Sequence, residues 1–404
     1  MALPPISDGP SRAAYDVAIV GGGIMGSSAA WWLTQMAPDM RVLVIERDPT
    51  YASAATTHTN SCMRQQFSTE LNVRISQFAA EFVTSLRERM GGDARVPELS
   101  IRNFGYMYLA GDEGFADVLR ANAAVQRAAG AETVLMTPEE IAAAYPFYAL
   151  DGIVLGSINR KDEGYWDGAA VFDAWRRSGR ERGVEVVRAE VAGVVRGAAG
   201  VEAVVLADGS RVACGQVVDA AGPRAARIAA MAGVELPVEP RKRMSWVFRA
   251  ERPLDRDLPL TIDPTGVHVR ENGGGTYQAG GHAAHDPAVE PDDFEIDPDL
   301  WQDHVWPVIA ARIPAFEAVR VEAEWAGHYD WNPFDHNAIL GSHPDVPNLH
   351  FLCGFSGHGL QQSPAMGRGT AERLVHGVYR TLDLTPFHYD RILAGAPIPE
   401  RAVI

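Results

Sequence analysis

Hydrophobic residues run along this chain in two rhythms. Residues 15–20 (YDVAIV) and 41–46 (RVLVIE) are short apolar runs rich in β-branched side chains, the pattern of strands buried on both faces. A three-glycine turn and a helical stretch carrying Ser28, Ala30, Trp32 and Leu33 lie between them, ending near Pro38. Strand, turn, helix and strand thus follow one another at the length of one βαβ unit. Helical periodicity returns over 78–90, closed by Gly91-Gly92, and over 113–130, 169–182, 301–313 and 365–378. Thr137-Pro138-Glu139-Glu140 has the form of a capping box. Strand patterns cover 103–110, 184–187, 191–195, 201–206 and 216–220, with Asp208-Gly209 as a hairpin turn. Residues 244–281 are β-rich, with Gly273-Gly274-Gly275 as a turn, and 350–353 form a short strand entering the glycine-rich run 354–359. The chain shows no internal repeat and no low-complexity segment. The pattern predicts an α/β protein with a Rossmann-like first unit.

Composition narrows the classes of function. The chain has 404 residues, enough for two or three domains, and 47% of them are hydrophobic. Lys plus Arg number 36 against 52 Asp plus Glu, a net charge of −16 that disfavours nucleic-acid binding. The densest basic cluster, Arg241-Lys242-Arg243, reads as a surface or inter-domain feature. Three cysteines, Cys62, Cys214 and Cys353, form no CxxC pair and fit a reducing compartment. No apolar run reaches membrane-spanning length. Residues 1–14, with Pro4, Pro5, Asp8 and Pro10, lack the features of a signal or transit peptide. They read as a loose leader, and the expected location is cytoplasmic.

The chemistry starts at Gly21, Gly23 and Gly26, a G-x-G-x-x-G between strand and helix. The first glycine allows the tight turn, the second close approach to a pyrophosphate, and the third packing of helix on sheet. The helix N-terminus offers free N–H groups and the positive end of its dipole. Glu46, at the end of the second strand, is placed to accept hydrogen bonds from ribose hydroxyls. The motif alone does not separate FAD from NAD. Residues 217–223 (VVDAAGP) form a strand ending in a small-residue turn, and 354–359 form a second glycine-rich junction far along the chain. A dinucleotide met at both ends and the middle of the chain is an extended one, which favours FAD. No second G-x-G-x-x-G marks a separate NAD domain, and an NAD-dependent dehydrogenase on a single Rossmann unit is the disfavoured rival.

These segments, with Arg64-Gln65-Gln66-Phe67-Ser68, Trp325-Ala326-Gly327 and Gly357-His358-Gly359-Leu360-Gln361-Gln362, resemble the D-amino-acid oxidase superfamily in its sarcosine-oxidase-like branch. Within it the chain looks closest to the FAD-dependent oxidoreductase domain-containing proteins. The resemblance implies a discontinuous FAD-binding domain (15–95, 165–240 and 325–404) and an inserted antiparallel-sheet substrate domain (96–164 and 241–324). It implies FAD held by Gly21, Gly23, Ile24, Met25, Gly26, Glu46, Arg47, Thr57, Asn60, Ser61, Met63, Val191, Ala221, Gly222, Gly354, Phe355, Gly357, His358, Gly359, Leu360 and Gln361. It also implies oxidation of the C–N bond of a small amine or amino acid by hydride transfer to flavin N5, followed by hydrolysis of the imine. Arg64, His268, His282, Tyr329 and Gln361 are the residues it places at the substrate.

The chain departs from that pattern at four positions. The Cys that holds flavin covalently in sarcosine-oxidase-like enzymes maps to Gly327, so non-covalent FAD is expected, with His58 and Cys62 as the remaining nucleophiles near the flavin. The two basic residues that hold the substrate carboxylate map to Gln361 and Phe67, so Arg64 and Arg270 become the candidate anion binders. The Lys that promotes reaction with oxygen maps to Gln278, which weakens an oxidase reading. Electrons then pass to O2, a quinone or an electron-transfer protein. His282 and His285 read as HxxH, but no third or fourth ligand accompanies them and no metal is expected. An FAD-binding assembly or scaffold protein for a respiratory complex, with little turnover, is the alternative that the resemblance leaves open.

Overall fold

A computed structural model describes residues 5–282 and 285–402 of the chain. Two eight-stranded sheets organise it. In the first, Ala14–Val20 pairs in parallel with Val42–Glu46 on one side and Arg211–Asp219 on the other. Glu185–Arg188 extends the parallel sheet beyond Val42–Glu46, and Val346–Cys353 extends it beyond Arg211–Asp219. Ile339–His343 adds an antiparallel edge, and the hairpin Val191–Gly197/Gly200–Leu206 pairs with the first half of Arg211–Asp219. Apolar side chains line both faces of the central strands, because helices cover one side and the hairpin with helix Ala225–Met231 covers the other.

Helix Ile24–Met36 follows the first strand and packs along helix Gly359–His376. Gly367 lets them approach: a Cβ there would collide with the Ser28 side chain. Trp31, Trp32, Phe82 and Trp175 fill the space beneath, with Trp31 and Trp32 edge-on at 4.7 Å.

The second sheet runs, in spatial order, Val319–Trp331, Glu239–Ala250, Thr276–Gly281, His268–Gly273, Leu260–Ile262, Tyr106–Ala110, Leu155–Asn159 and Val134–Met136. Neighbours are antiparallel except Leu260–Ile262 with Tyr106–Ala110. Its core gathers Trp246, Phe248, Trp301 and Phe316.

Several sequence expectations shift. The helix expected over 78–90 is Glu70–Thr84 followed by Leu86–Arg89; Thr69 starts it early by accepting from Asn72 N–H. The expected capping box at Thr137 is present. The last helix opens at Gly359 and contains Pro364, and the Leu360 carbonyl that the proline leaves without its helical partner is taken by Ser363 Oγ at 2.8 Å. Val319–Trp331 was not expected as a strand. It straddles the domain boundary drawn at 325, and its first half is a charged, exposed edge. The stretch before Ala14 is not loose where it is described. Ser7 bridges to Val187, and Ser11 donates to the Glu185 carboxylate through N and Oγ at 2.5 and 2.7 Å.

Candidate active site

A cleft of about 300 Å³ opens where the carboxyl ends of the parallel strands face the second sheet. Its first end is the turn after Ala14–Val20. Gly26 is indispensable there, because any Cβ would overlap the Gly21 carbonyl. Helix Ile24–Met36 begins at Gly23, which has no side chain to cap it, and its N-terminus faces the cleft. Thr56 Oγ takes Ile24 N–H at 3.0 Å. Glu46, at the strand end, accepts from Gly22 and Asp48 N–H at 2.8 Å, and burial raises its pKa. Arg47, Arg224 and Arg227 line the same end. An open helix N-terminus, glycine backbone and three guanidinium groups form a donor set that fits the pyrophosphate of a dinucleotide. Farther along, Val191, Ala221, Gly222 and residues 355–361 complete the wall.

Residues 286–295 cross outside this end as an acidic strap. Asp292 pairs with Arg47 at 2.9 Å and also with Arg224, Glu290 pairs with Arg227 at 2.6 Å, and Asp293 with Lys242 at 2.8 Å. Asp286 grips Arg243 through both oxygens at 2.8 and 2.9 Å. The basic run 241–243 is therefore paired with carboxylates instead of being freely solvated.

Arg64 lines the far half of the cleft and is 2% exposed. Its guanidinium lies 3.9 Å from the Phe67 ring centroid and 5.6 Å from that of Tyr108. It donates to the Gln66 carbonyl, to His358 Nε2 at 2.9 Å and to the Ala402 carbonyl at 2.6 Å. All three partners are neutral, since burial and the Arg64 charge hold the His358 pKa well below its ordinary value. Because arginine only donates, His358 accepts at Nε2 and carries its proton on Nδ1. Gln361 accepts from Arg64 N–H at 2.7 Å, so the residue in the carboxylate-anchor position braces the Arg64 backbone. Phe67, in the other anchor position, is the platform under the guanidinium. Glu163 fixes the neighbouring glutamines, accepting from Gln65 N–H and Gln66 Nε2, and burial pushes its carboxyl up to about 8.

A relay of directed hydrogen bonds ends on His268. Arg270 donates to Gln278 Oε1 at 2.6 Å, Gln278 Nε2 to Asn60 Oδ1 at 2.6 Å, and Asn60 Nδ2 meets His268 Nε2 at 2.9 Å. The arginine sets the direction throughout, so His268 accepts at Nε2 and is protonated at Nδ1. Burial, then Arg243 and Arg270, lower its pKa to about 4. Tyr329 packs on Gly357, where a Cβ would overlap its ring, and the Arg243 guanidinium lies 4.9 Å from the Tyr329 ring centroid. Asp330 Oδ2 accepts from Phe355 N–H at 3.1 Å, and burial pushes its carboxyl up to about 6.

Arg64, His268, Tyr329 and Gln361 thus come together on one cleft, while His282 does not line it. Among the expected cofactor residues, Gly26, Thr57, Ser61, Met63 and Gly354 also stand off the cleft wall. Thr57 Oγ bonds the Tyr51 carbonyl and Ser61 Oγ the Trp166 carbonyl; Met63 is in the core, and Gly354 packs on Ile339. Arg270 is not a surface residue on its hairpin: it is 4% exposed and lies behind Gln278. A side chain at Gly327 would meet His58 Cβ at 2.8 Å. His58 and Cys62 line the cleft; Arg243, Arg224, Arg227 and Asp330 line it without having been singled out for it, and the R-K-R run was the one sequence signal for Arg243. Among the described residues no three His, Cys, Asp or Glu side chains gather to hold a metal.

Residues 16–373 match the family described as DAO, FAD dependent oxidoreductase. The chain belongs to this family. It is 36% identical to "FAD-dependent oxidoreductase domain-containing protein 1" of Xenopus laevis, over 99% of this chain and 87% of that protein. It is 25% identical to "Sarcosine oxidase subunit beta" of Rhizobium meliloti, over 96% of this chain and 90% of that one. Among solved structures it is similar to L-proline dehydrogenase from P. horikoshii, with a TM-score of 0.81 and 25% identity over 95% of this chain and 99% of that chain. As a DAO-family FAD-dependent oxidoreductase, the chain takes FAD as its cofactor, and the glycine turn with its arginines is where the dinucleotide fits.

Proposed function

We propose that this DAO-family protein oxidises the C–N bond of a small amino acid or N-substituted amino acid bearing a carboxylate. The observation that carries this reading is Arg64: a buried guanidinium on the cleft wall whose hydrogen-bond partners are all neutral. A buried cation without a counter-charge is costly, and an anionic ligand offsets that cost. Bound FAD supplies a two-electron acceptor, and the imine product hydrolyses in water. This chain's residues bind and orient. Arg64 holds the carboxylate, and His268 stays neutral near pH 7, so it does not repel an amine or compete with it for a proton. The Tyr329 ring and Gly357 shape the cleft wall on which a substrate would rest.

The wall also bears on the acceptor. Among the described residues no lysine lines the cleft, and Gln278 is held by Arg270 and Asn60. A dehydrogenase that reoxidises slowly in air fits this arrangement better than an oxidase. The test is anaerobic bleaching of the flavin band by N-methyl amino acids, D-amino acids, cyclic amino acids and opines, with their decarboxylated amines as controls. Bleaching by acids and not by the matching amines is the expected result. A flavin that dithionite bleaches and none of these compounds does would overturn the reading.

A further inference from the structure

The last described residues, 396–402, have the sequence APIPERA and are held along the protein by a full set of hydrogen bonds. Pro397 and Pro399 donate nothing, and each remaining N–H is taken: Ala396 by the Arg391 carbonyl, Ile398 by Asp335 Oδ2, Glu400 by the Asp335 carbonyl, Arg401 by Ser68 Oγ and Ala402 by Glu400 Oε1. Glu400 is 1% exposed. Its carboxylate accepts from Ser68 N–H at 3.0 Å, Ser68 Oγ at 2.7 Å and Asn72 Nδ2 at 3.2 Å, at the N-terminus of helix Glu70–Thr84. A carboxylate is at home there, facing the positive end of the helix. Held at this point, the segment carries Ala402 into the cluster of Tyr106, Tyr108 and Cys62, with its carbonyl 2.6 Å from Arg64 Nη2. The same carboxylate fixes Ser68, the residue after Phe67, on whose ring the guanidinium rests.

We propose that Glu400 is a positioning residue: by clamping the strap 396–402 and Ser68 together, it aims the Arg64 guanidinium at the carboxylate of a ligand in the cleft. The inference rests on the reading of Arg64 as carboxylate binder and adds how that arginine is held. One edge of the guanidinium is fixed by the Ala402 carbonyl and one face by Phe67, and both supports depend on Glu400. A guanidinium on a long side chain loses little by reorienting unless several contacts hold it, so removing the clamp costs ligand alignment before it costs folding.

The experiment uses the FAD-loaded protein and two probes, benzoate and its neutral counterpart benzamide, followed by perturbation of the flavin spectrum. In the unaltered protein benzoate binds more tightly than benzamide, and Arg64→Met removes that preference. Glu400→Gln weakens benzoate about tenfold, leaves benzamide unchanged and retains FAD; in the Arg64→Met background it has no further effect on either probe. Ser68→Ala, which deletes one hydroxyl, gives a smaller change in the same direction and decides the matter should Glu400→Gln fail to fold. Equal benzoate affinity in Glu400→Gln, or in Ser68→Ala where that is the deciding variant, overturns the clamp while leaving Arg64 as carboxylate binder. No preference for benzoate over benzamide in the unaltered protein overturns the reading beneath it.

Discussion

Gly26, behind the glycine turn, and His268, on the cleft wall, each make a sharp demand on one atom. At Gly26 the demand is steric: a methyl group must displace either the Gly21 carbonyl or the whole helix. Gly26→Ala is expected to give protein without a flavin absorption band, measured on the purified chain after incubation with excess FAD. At His268 the demand is electrostatic. Its pKa is about 4 in the fold, below the ordinary 6.5, so the unfolded chain binds the extra proton between those values. Its contribution to stability is complete above pH 6.5 and is lost as the pH falls towards 4. Denaturant unfolding at pH 7 and pH 4.5 should show His268→Gln losing on the order of 2–3 kcal/mol less than the unaltered protein over that interval. Glu163 and Asp219, which burial pushes the other way to about 8, act in both proteins and cancel from the difference.

At the scale of elements, the acidic strap 286–295 and the strand Val319–Trp331 show where sequence patterns stop being informative. The βαβ unit was readable because its strands are buried on both faces and its turn needs glycine. Val319–Trp331 hid because it is an edge strand: Arg320, Glu322 and Glu324 give it the polarity of a loop, although Glu322 pairs with Arg249 at 2.8 Å and Glu324 accepts from Trp246 Nε1. The strap hid for another reason, since its carboxylates find partners far away in sequence. Arg47 and Arg224 reach Asp292 from another lobe, and no local period encodes that. Asp292 is well exposed, so Asp292→Asn should shift stability by less than about 1 kcal/mol. FAD uptake and release should both quicken, about three- to fivefold, when exchange is followed by flavin fluorescence. Added salt should accelerate the unaltered protein more than the variant.

For the molecule as a whole, the net charge of −16 conceals a cleft lined by Arg47, Arg64, Arg224, Arg227 and Arg243. Composition disfavoured nucleic acid as a partner yet could not show this gathering of guanidinium groups, because charge counts carry no positions. The candidate site was legible in the sequence where backbone geometry dictates residue type, at Gly21, Gly23 and Gly357. It was illegible where a side chain's role depends on neighbours: Gln361 braces a backbone amide, and Arg270 stands behind Gln278.

The strand Val319–Trp331 carries one more consequence. It pairs along twelve residues with Glu239–Ala250 in the second sheet, and its last residues bond the 354–357 turn of the first lobe, with Ser356 N–H on the Asp330 carbonyl at 3.0 Å and Asn332 N–H on Ser356 Oγ at 3.0 Å. A single extended segment is therefore structural in both lobes and crosses between them without a flexible joint. At this crossing the described residues leave no loop to serve as a hinge. Ligand exchange through small movements at the rim is therefore expected, and so is a single thermal transition for both lobes, checked by comparing calorimetric and van't Hoff enthalpies.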